Sequence, residues 1–168
     1  MSNPFSEYIE ALQGAHLESQ FKKFQDAFSK TSDIIILGNG GSNAVASHIS
    51  QDYVKFHGKR SMVFSDPSML TCYINDFGME NAYVKFLEAY ATQDTLIILI
   101  SSGGESPNIL NCIGWCENTN KKYGILTGFQ KDNSARKLAK NSLWDYHIPS
   151  RNYGIVECVH QIFLHGVV

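Results

Sequence analysis

The chain has 168 residues, a net charge of −2 and 43% hydrophobic residues. That is the size of one domain with a real core, so wholesale disorder is excluded. There is no basic run, and no apolar segment reaches the ~18 residues that span a bilayer, so neither nucleic acid nor a membrane is expected as a partner.

Residues 1–10 lack the charged and apolar regions of a signal peptide. The four cysteines, Cys72, Cys112, Cys116 and Cys158, form no C-x-x-C. They read as reduced, mostly buried thiols of a cytoplasmic protein. Residues 4–30 are predicted helical. Leu17, Phe21, Phe24 and Phe28 fall on one stripe of an amphipathic helix. Such a stripe either covers the sheet or packs on another subunit.

Residues 34–37, four aliphatics, predict a strand buried on both faces. Asn39, Gly40, Gly41 and Ser42 follow, and a helix is predicted over about 43–57. A strand, a glycine loop and a helix N-terminus make an anion site, because the first N–H groups of the helix have no internal partner and the dipole favours negative charge. A second strand is predicted at 61–64. Asp66 then reads as an N-cap and Pro67 as the first residue of a short helix ending near Ile74. Asn75, Asp76, Phe77 and Gly78 read as a loop, followed by a helix over about 80–90. Residues 95–100 predict the central strand. Ser101, Ser102, Gly103, Gly104, Glu105 and Ser106 follow it, with Ser106 as N-cap and Pro107 in the first turn of a helix running to about 118. Strands at 123–127 and 146–148, a short helix at 134–139 and a last helix from about 153 complete the pattern.

Strands and helices thus alternate as in right-handed βαβ units with a parallel sheet. The prediction is an α/β fold: a three-layer, doubly wound, Rossmann-like sheet of mainly five parallel strands. It forms a single domain over 1–168, with 1–32 as an N-terminal helical segment and 33–168 as the α/β core. Ligands bind such sheets at the carboxyl ends of the strands, and two of those ends carry Gly/Ser loops. A dinucleotide site is weakly suggested by Gly38-Asn39-Gly40, but Asn43 stands where the third glycine of G-x-G-x-x-G would be. Asp66 could then bind a ribose, although the N-cap role explains it equally well.

His48 and Asp52, four apart, share a face of the helix leaving the first loop. The last helix carries Glu157, His160 and His165. Imidazoles and carboxylates on two helices suit zinc or acid–base chemistry. Glu157 and His165 are separated by roughly 12 Å of helix.

The ordered set of G-N-G-G-S, H-x-x-x-acid, N-D-F-G, a serine loop after a long aliphatic strand and a C-terminal helix ending in His resembles the sugar isomerase (SIS) fold. Within it, the chain is most similar to the phosphoheptose isomerases, from about residue 33 to 166. The resemblance implies an aldose–ketose isomerase acting on sedoheptulose 7-phosphate to give a D-glycero-D-manno-heptose 7-phosphate. It implies substrate contacts from Asn39, Gly40, Gly41, Ser42, Asp52, Asn75, Asp76, Ser101, Ser102, Gly103, Ser106 and Glu157. It further implies zinc held by His48, Asp52, Glu157 and His165, acid–base work by Asp52 and His165, and a homotetramer. The chain departs from the family pattern at Asp52 (usually Glu), Glu157 (usually Gln), Gly103 (usually Ser) and Gly154 (usually acidic). A non-catalytic branch of the fold, which binds the bacterial replication initiator, is the alternative. It lacks the acid after the first His and the terminal His, both of which are kept in type here.

Overall fold

The computed structural model describes residues 3–14 and 17–168, without the side chain of Leu17. Residues 1, 2, 15 and 16 of the predicted helical segment therefore lie outside the described residues, as does the Leu17 side chain of the predicted stripe. The chain runs α1 (Ser6–Gly14), α2 (Leu17–Ser29), β1 (Asp33–Gly38), α3 (Gly41–His57), β2 (Arg60–Val63), α4 (Pro67–Phe77) and α5 (Met79–Tyr90). It continues with β3 (Leu96–Ser101), α6 (Pro107–Thr119), β4 (Lys122–Gly128), α7 (Ser134–Leu138), β5 (Asp145–Ile148) and α8 (Tyr153–His165).

The described strands form one sheet in the order β2-β1-β3-β4-β5, and every pair is parallel. Both faces are covered, as the unbroken aliphatic runs require. Ile34, Ile36, Ile98 and Ile100 point into one core with Val45, Ile49, Val156 and Phe163. Ile35, Leu37, Ile97 and Leu99 point into the other with Phe86, Ile109 and Ile113. This is the predicted three-layer, doubly wound architecture.

The phenylalanine stripe serves this chain's own core. Phe24 is fully buried, 5.0 Å from the Trp144 ring and 5.3 Å from that of Phe163. Phe28 lies 4.7 Å from the Tyr53 ring. Of the two readings of the stripe, covering the sheet is the one observed for these residues. The thiols are free, but only Cys112 and Cys116 are buried, whereas Cys72 and Cys158 are exposed. "Mostly buried" is corrected to half.

α4 runs three residues further than predicted. Asp66 is its N-cap, accepting the Met69 N–H at 2.9 Å, and the Ser68 hydroxyl with that N–H holds the Asp66 carboxyl below its usual range. This explains Asp66 without a ribose. Asn75, Asp76 and Phe77 are not a loop but the last turn of α4, which Gly78 terminates. Turn-forming composition suggested a loop, yet Ile74 and Tyr73 still pack on the core and hold the last turn in helix.

Gly124 in β4 lies under the Trp144 ring, and a Cβ there would collide with three ring atoms. Gly114 in α6 faces open space. Gly124→Ala is expected to destabilise by about 2–3 kcal/mol through overpacking. Gly114→Ala is expected to stabilise by about 0.5–1 kcal/mol through helix propensity. Urea unfolding of both variants checks the pair, and equal midpoints would contradict the packing described.

Candidate active site

The strand order reverses between β1 and β3, so the connections leaving their carboxyl ends diverge and open a crevice. A cavity of about 430 Å³ fills it. It is lined by Asn39, Gly40, Gly41 and Ser42 after β1, by Ser101, Ser102, Gly103, Glu105 and Ser106 after β3, and by Tyr153 and Glu157 of α8. Gly40, at φ 53°, lets the chain turn from β1 straight into α3.

The two loops are tied together. Asn39 Nδ2 donates to Asn108 Oδ1 at 2.9 Å and Asn108 Nδ2 donates back to Asn39 Oδ1 at 2.8 Å. Ser42 Oγ and Ser102 Oγ lie 3.4 Å apart. Inside the second loop, Ser101 Oγ donates to Ser106 Oγ at 3.2 Å and accepts the Gly104 N–H. Ser106 is at the N-cap position of α6 but makes no side-chain cap bond, which corrects the capping expected of its side chain. Buried Asn108 went unnoticed in the sequence. So did Tyr153, which lines the cavity and meets the Phe129 ring edge-on at 4.7 Å.

A second group lies further along the same two helices. Asp52 Oδ2 is 3.0 Å from His165 Nε2 and 3.5 Å from His48 Nε2. The two imidazole centroids are 5.1 Å apart. One ligand atom from each of His48, Asp52 and His165 lies within 4.8 Å of the others. Ligands on a tetrahedral ion would sit about 3.4 Å apart, so two imidazoles and a carboxylate fit a metal with an open position. Glu157 is not in this group; it stands in the cavity with its carboxylate against Gly41. Asn75 and Asp76 are brought to neither place among the described lining residues. They are exposed on α4, where Asn75 Nδ2 donates to Asp76 Oδ1.

His160 is structural. Fully buried, it donates Nε2–H to the Thr127 carbonyl at 3.0 Å, and burial pushes its pKa down to about 4.

Strands in this order, with serine and glycine loops clasped across the switch point, define the sugar isomerase fold. No protein-family model matches the chain. The phosphoheptose isomerase of Fusobacterium nucleatum is 30% identical over 156 residues, 90% of this chain and 78% of the relative. Phosphoheptose isomerase GmhA from Neisseria gonorrhoeae superposes with a TM-score of 0.88 at 22% identity, over 97% of this chain and 92% of that one. A phosphoheptose isomerase from Francisella tularensis gives 0.87 at 19% identity, over 97% and 91%. The chain belongs to the phosphoheptose isomerase family.

The depressed His160 pKa makes a pH test. Above pH ~6.5 His160 is neutral in both folded and unfolded states and contributes no pH dependence. As pH falls from 6.5 toward 4, the unfolded state takes the proton first and stability is lost. Between pH 7.5 and 4.5, His160→Gln is expected to lose about 2–3 kcal/mol less than the parent in denaturant unfolding. Identical losses would contradict the burial of a neutral imidazole.

Proposed function

We propose that the chain interconverts sedoheptulose 7-phosphate and a D-glycero-D-manno-heptose 7-phosphate as an aldose–ketose isomerase. The observation that carries this reading is the meeting of two imidazoles on one oxygen of Asp52, on helices that also border a serine-lined cavity. Family membership supports it. The hydroxyls of Ser42, Ser102 and Ser106 and the open N–H groups at the start of α6 hold the phosphate. Ser101 shapes that loop from within. Asn39 presents its backbone and the loop's glycines to the sugar while its amide is held by Asn108.

Asp52 and His165 move a proton between C1 and C2 through an enediol. His48, Asp52 and His165 would hold a zinc ion, with Nε2 of His165 as its donor and Nδ1 left to carry the proton, and the ion would polarise the substrate carbonyl. Asp52 can serve both purposes because its oxygens differ. Oδ2 faces both imidazoles, while Oδ1 has no hydrogen-bond partner among the described residues and is free to take a proton. A regulatory module without turnover is not favoured, since the acid and the terminal imidazole are in contact at 3.0 Å.

The enzyme works in the cytoplasm as a homotetramer. Exposed Phe5 just before α1, Ile9 on α1 and Ile162 on α8 are apolar surface available to a neighbouring subunit. No described helix is long and apolar enough to cross a membrane.

His48→Ala and His165→Ala are each expected to lose bound zinc in a metal-content measurement. The same samples are expected to lose heptose phosphate isomerisation by at least about 100-fold, with unchanged circular dichroism. Full metal content and turnover in both variants would sink the proposed centre.

A further inference from the structure

The serine loop after β3 rests on a second part of the fold, the corner between β4 and α7. Gly104 has φ 69°, a backbone conformation that favours glycine. A Cβ there would collide with the Cγ, Oδ1 and Nδ2 atoms of Asn133, so the loop backbone lies directly on the Asn133 amide. Asn133 is only 2% exposed, and its amide is fully engaged within the corner. Nδ2 donates to the Gln130 carbonyl at 2.9 Å and to the Gly128 carbonyl at 3.2 Å. Oδ1 accepts the Arg136 N–H at 3.1 Å. Arg136 is itself clamped, with Nε donating to the two Asp145 oxygens at 2.7 and 3.0 Å. The corner is therefore anchored to β5, and a satisfied network of this kind is rigid.

The corner reaches the loop with two N–H groups. That of Ala135 donates to the Gly104 carbonyl at 2.9 Å. That of Ser134 donates to Glu105 Oε1 at 2.8 Å, and Ser134 holds the Glu105 carboxyl below its usual range. Glu105 is an unexpected residue for the lining of a phosphate cavity. It is negative, exposed and one position before Ser106, the N-cap residue of α6, where its charge repels an anion. The described lining also contains no lysine, arginine or histidine. A phosphate there depends on hydroxyls and N–H groups alone, so its affinity depends on how firmly those groups are held in place.

We propose that Glu105 is a positioning residue for phosphate binding: through the Ser134 N–H it locks the serine loop onto the β4–α7 corner, and it acts on the ligand through the loop rather than by contact. The proposal rests on the phosphosugar reading above. The lock needs an acceptor and not a charge, because the partner is a backbone N–H. The charge is the disadvantage of using glutamate here, and the bond to Ser134 keeps it turned to the corner.

Affinity for sedoheptulose 7-phosphate is measured by calorimetric titration, and affinity for inorganic phosphate by its competition in the same titration. Glu105→Ala is expected to weaken both by about fivefold, the order set by one lost hydrogen bond. The factor is expected to be equal for the two, since the loop meets only the group they share. In turnover the loss falls on KM. Glu105→Gln, which keeps the acceptor and removes the charge, is expected to bind both at least as tightly as the parent. Unchanged affinities in Glu105→Ala, with a lowered unfolding temperature, overturn the proposal, because Glu105 would then only cap α7. Weakening of the sugar phosphate alone also overturns it, because Glu105 would then touch sugar hydroxyls. So does a Glu105→Gln variant as weak as Glu105→Ala, because the charge and not the bond would then matter. These three outcomes leave the isomerase reading intact. If the parent binds no sedoheptulose 7-phosphate, the phosphosugar reading fails and this proposal with it.

Discussion

The parallel pairing of β1 with β3 is the constraint on which the site depends. It sets Gly38, the last residue of one strand, beside Ile100 of the other, so both strands end at the same level. The chain leaves β1 for β2 on its far side before it returns to β3, which leaves the space above the pair uncovered. Two loops that are about sixty residues apart in the sequence thereby become opposite walls of one cavity. The reciprocal amide bonds of Asn39 and Asn108 close the gap between those walls. A partly buried, reciprocally bonded pair of this kind is costly to break on either side, because the buried Asn108 amide would be left unpaired. The anion-binding geometry is therefore built before a ligand arrives.

The packing of α3 against α8 places the chemistry relative to that cavity. Gly41 meets Glu157 at one end and Asp52 meets His165 at the other, so the helices run in the same direction. Tyr53 fixes their register, its hydroxyl donating to the Leu164 carbonyl at 2.8 Å. A shift of one turn along either helix would part His165 from Asp52 by about 5 Å. The phenylalanines of α2 press on α8 through Phe163 and on α3 through Tyr53. The N-terminal helices thus support the site without lining most of it.

The sheet was legible because its strands are aliphatic runs between glycine and serine punctuation, and both features are local. The histidine–carboxylate group was legible for a similar reason: His48 and Asp52 sit at helical spacing, and a terminal histidine follows on the last helix. What was not legible depends on distant partners. Nothing near Asn108 announces an amide partner sixty-nine positions away, and a serine before a proline looks like a cap whether or not its hydroxyl turns to Ser101. Asn75 and Asp76 have turn-forming chemistry, but the core contacts of their neighbours keep them helical. Glu157 was grouped with the histidines by the family resemblance, against the helix spacing. The separation of about 12 Å between Glu157 and His165 is real in the fold, and the carboxylate faces Gly41 instead.

Proton transfer by Asp52 and His165 is tested most directly by isomerisation in deuterium oxide. Both groups are partly open to solvent, with side-chain exposures of 18% and 33%, so a proton carried by either would exchange with water. Incubated with sedoheptulose 7-phosphate and zinc, the protein is expected to form an aldose heptose phosphate that carries deuterium at C2, read by proton nuclear magnetic resonance. An aldose formed with its substrate hydrogen wholly retained, or no aldose at all, would contradict it.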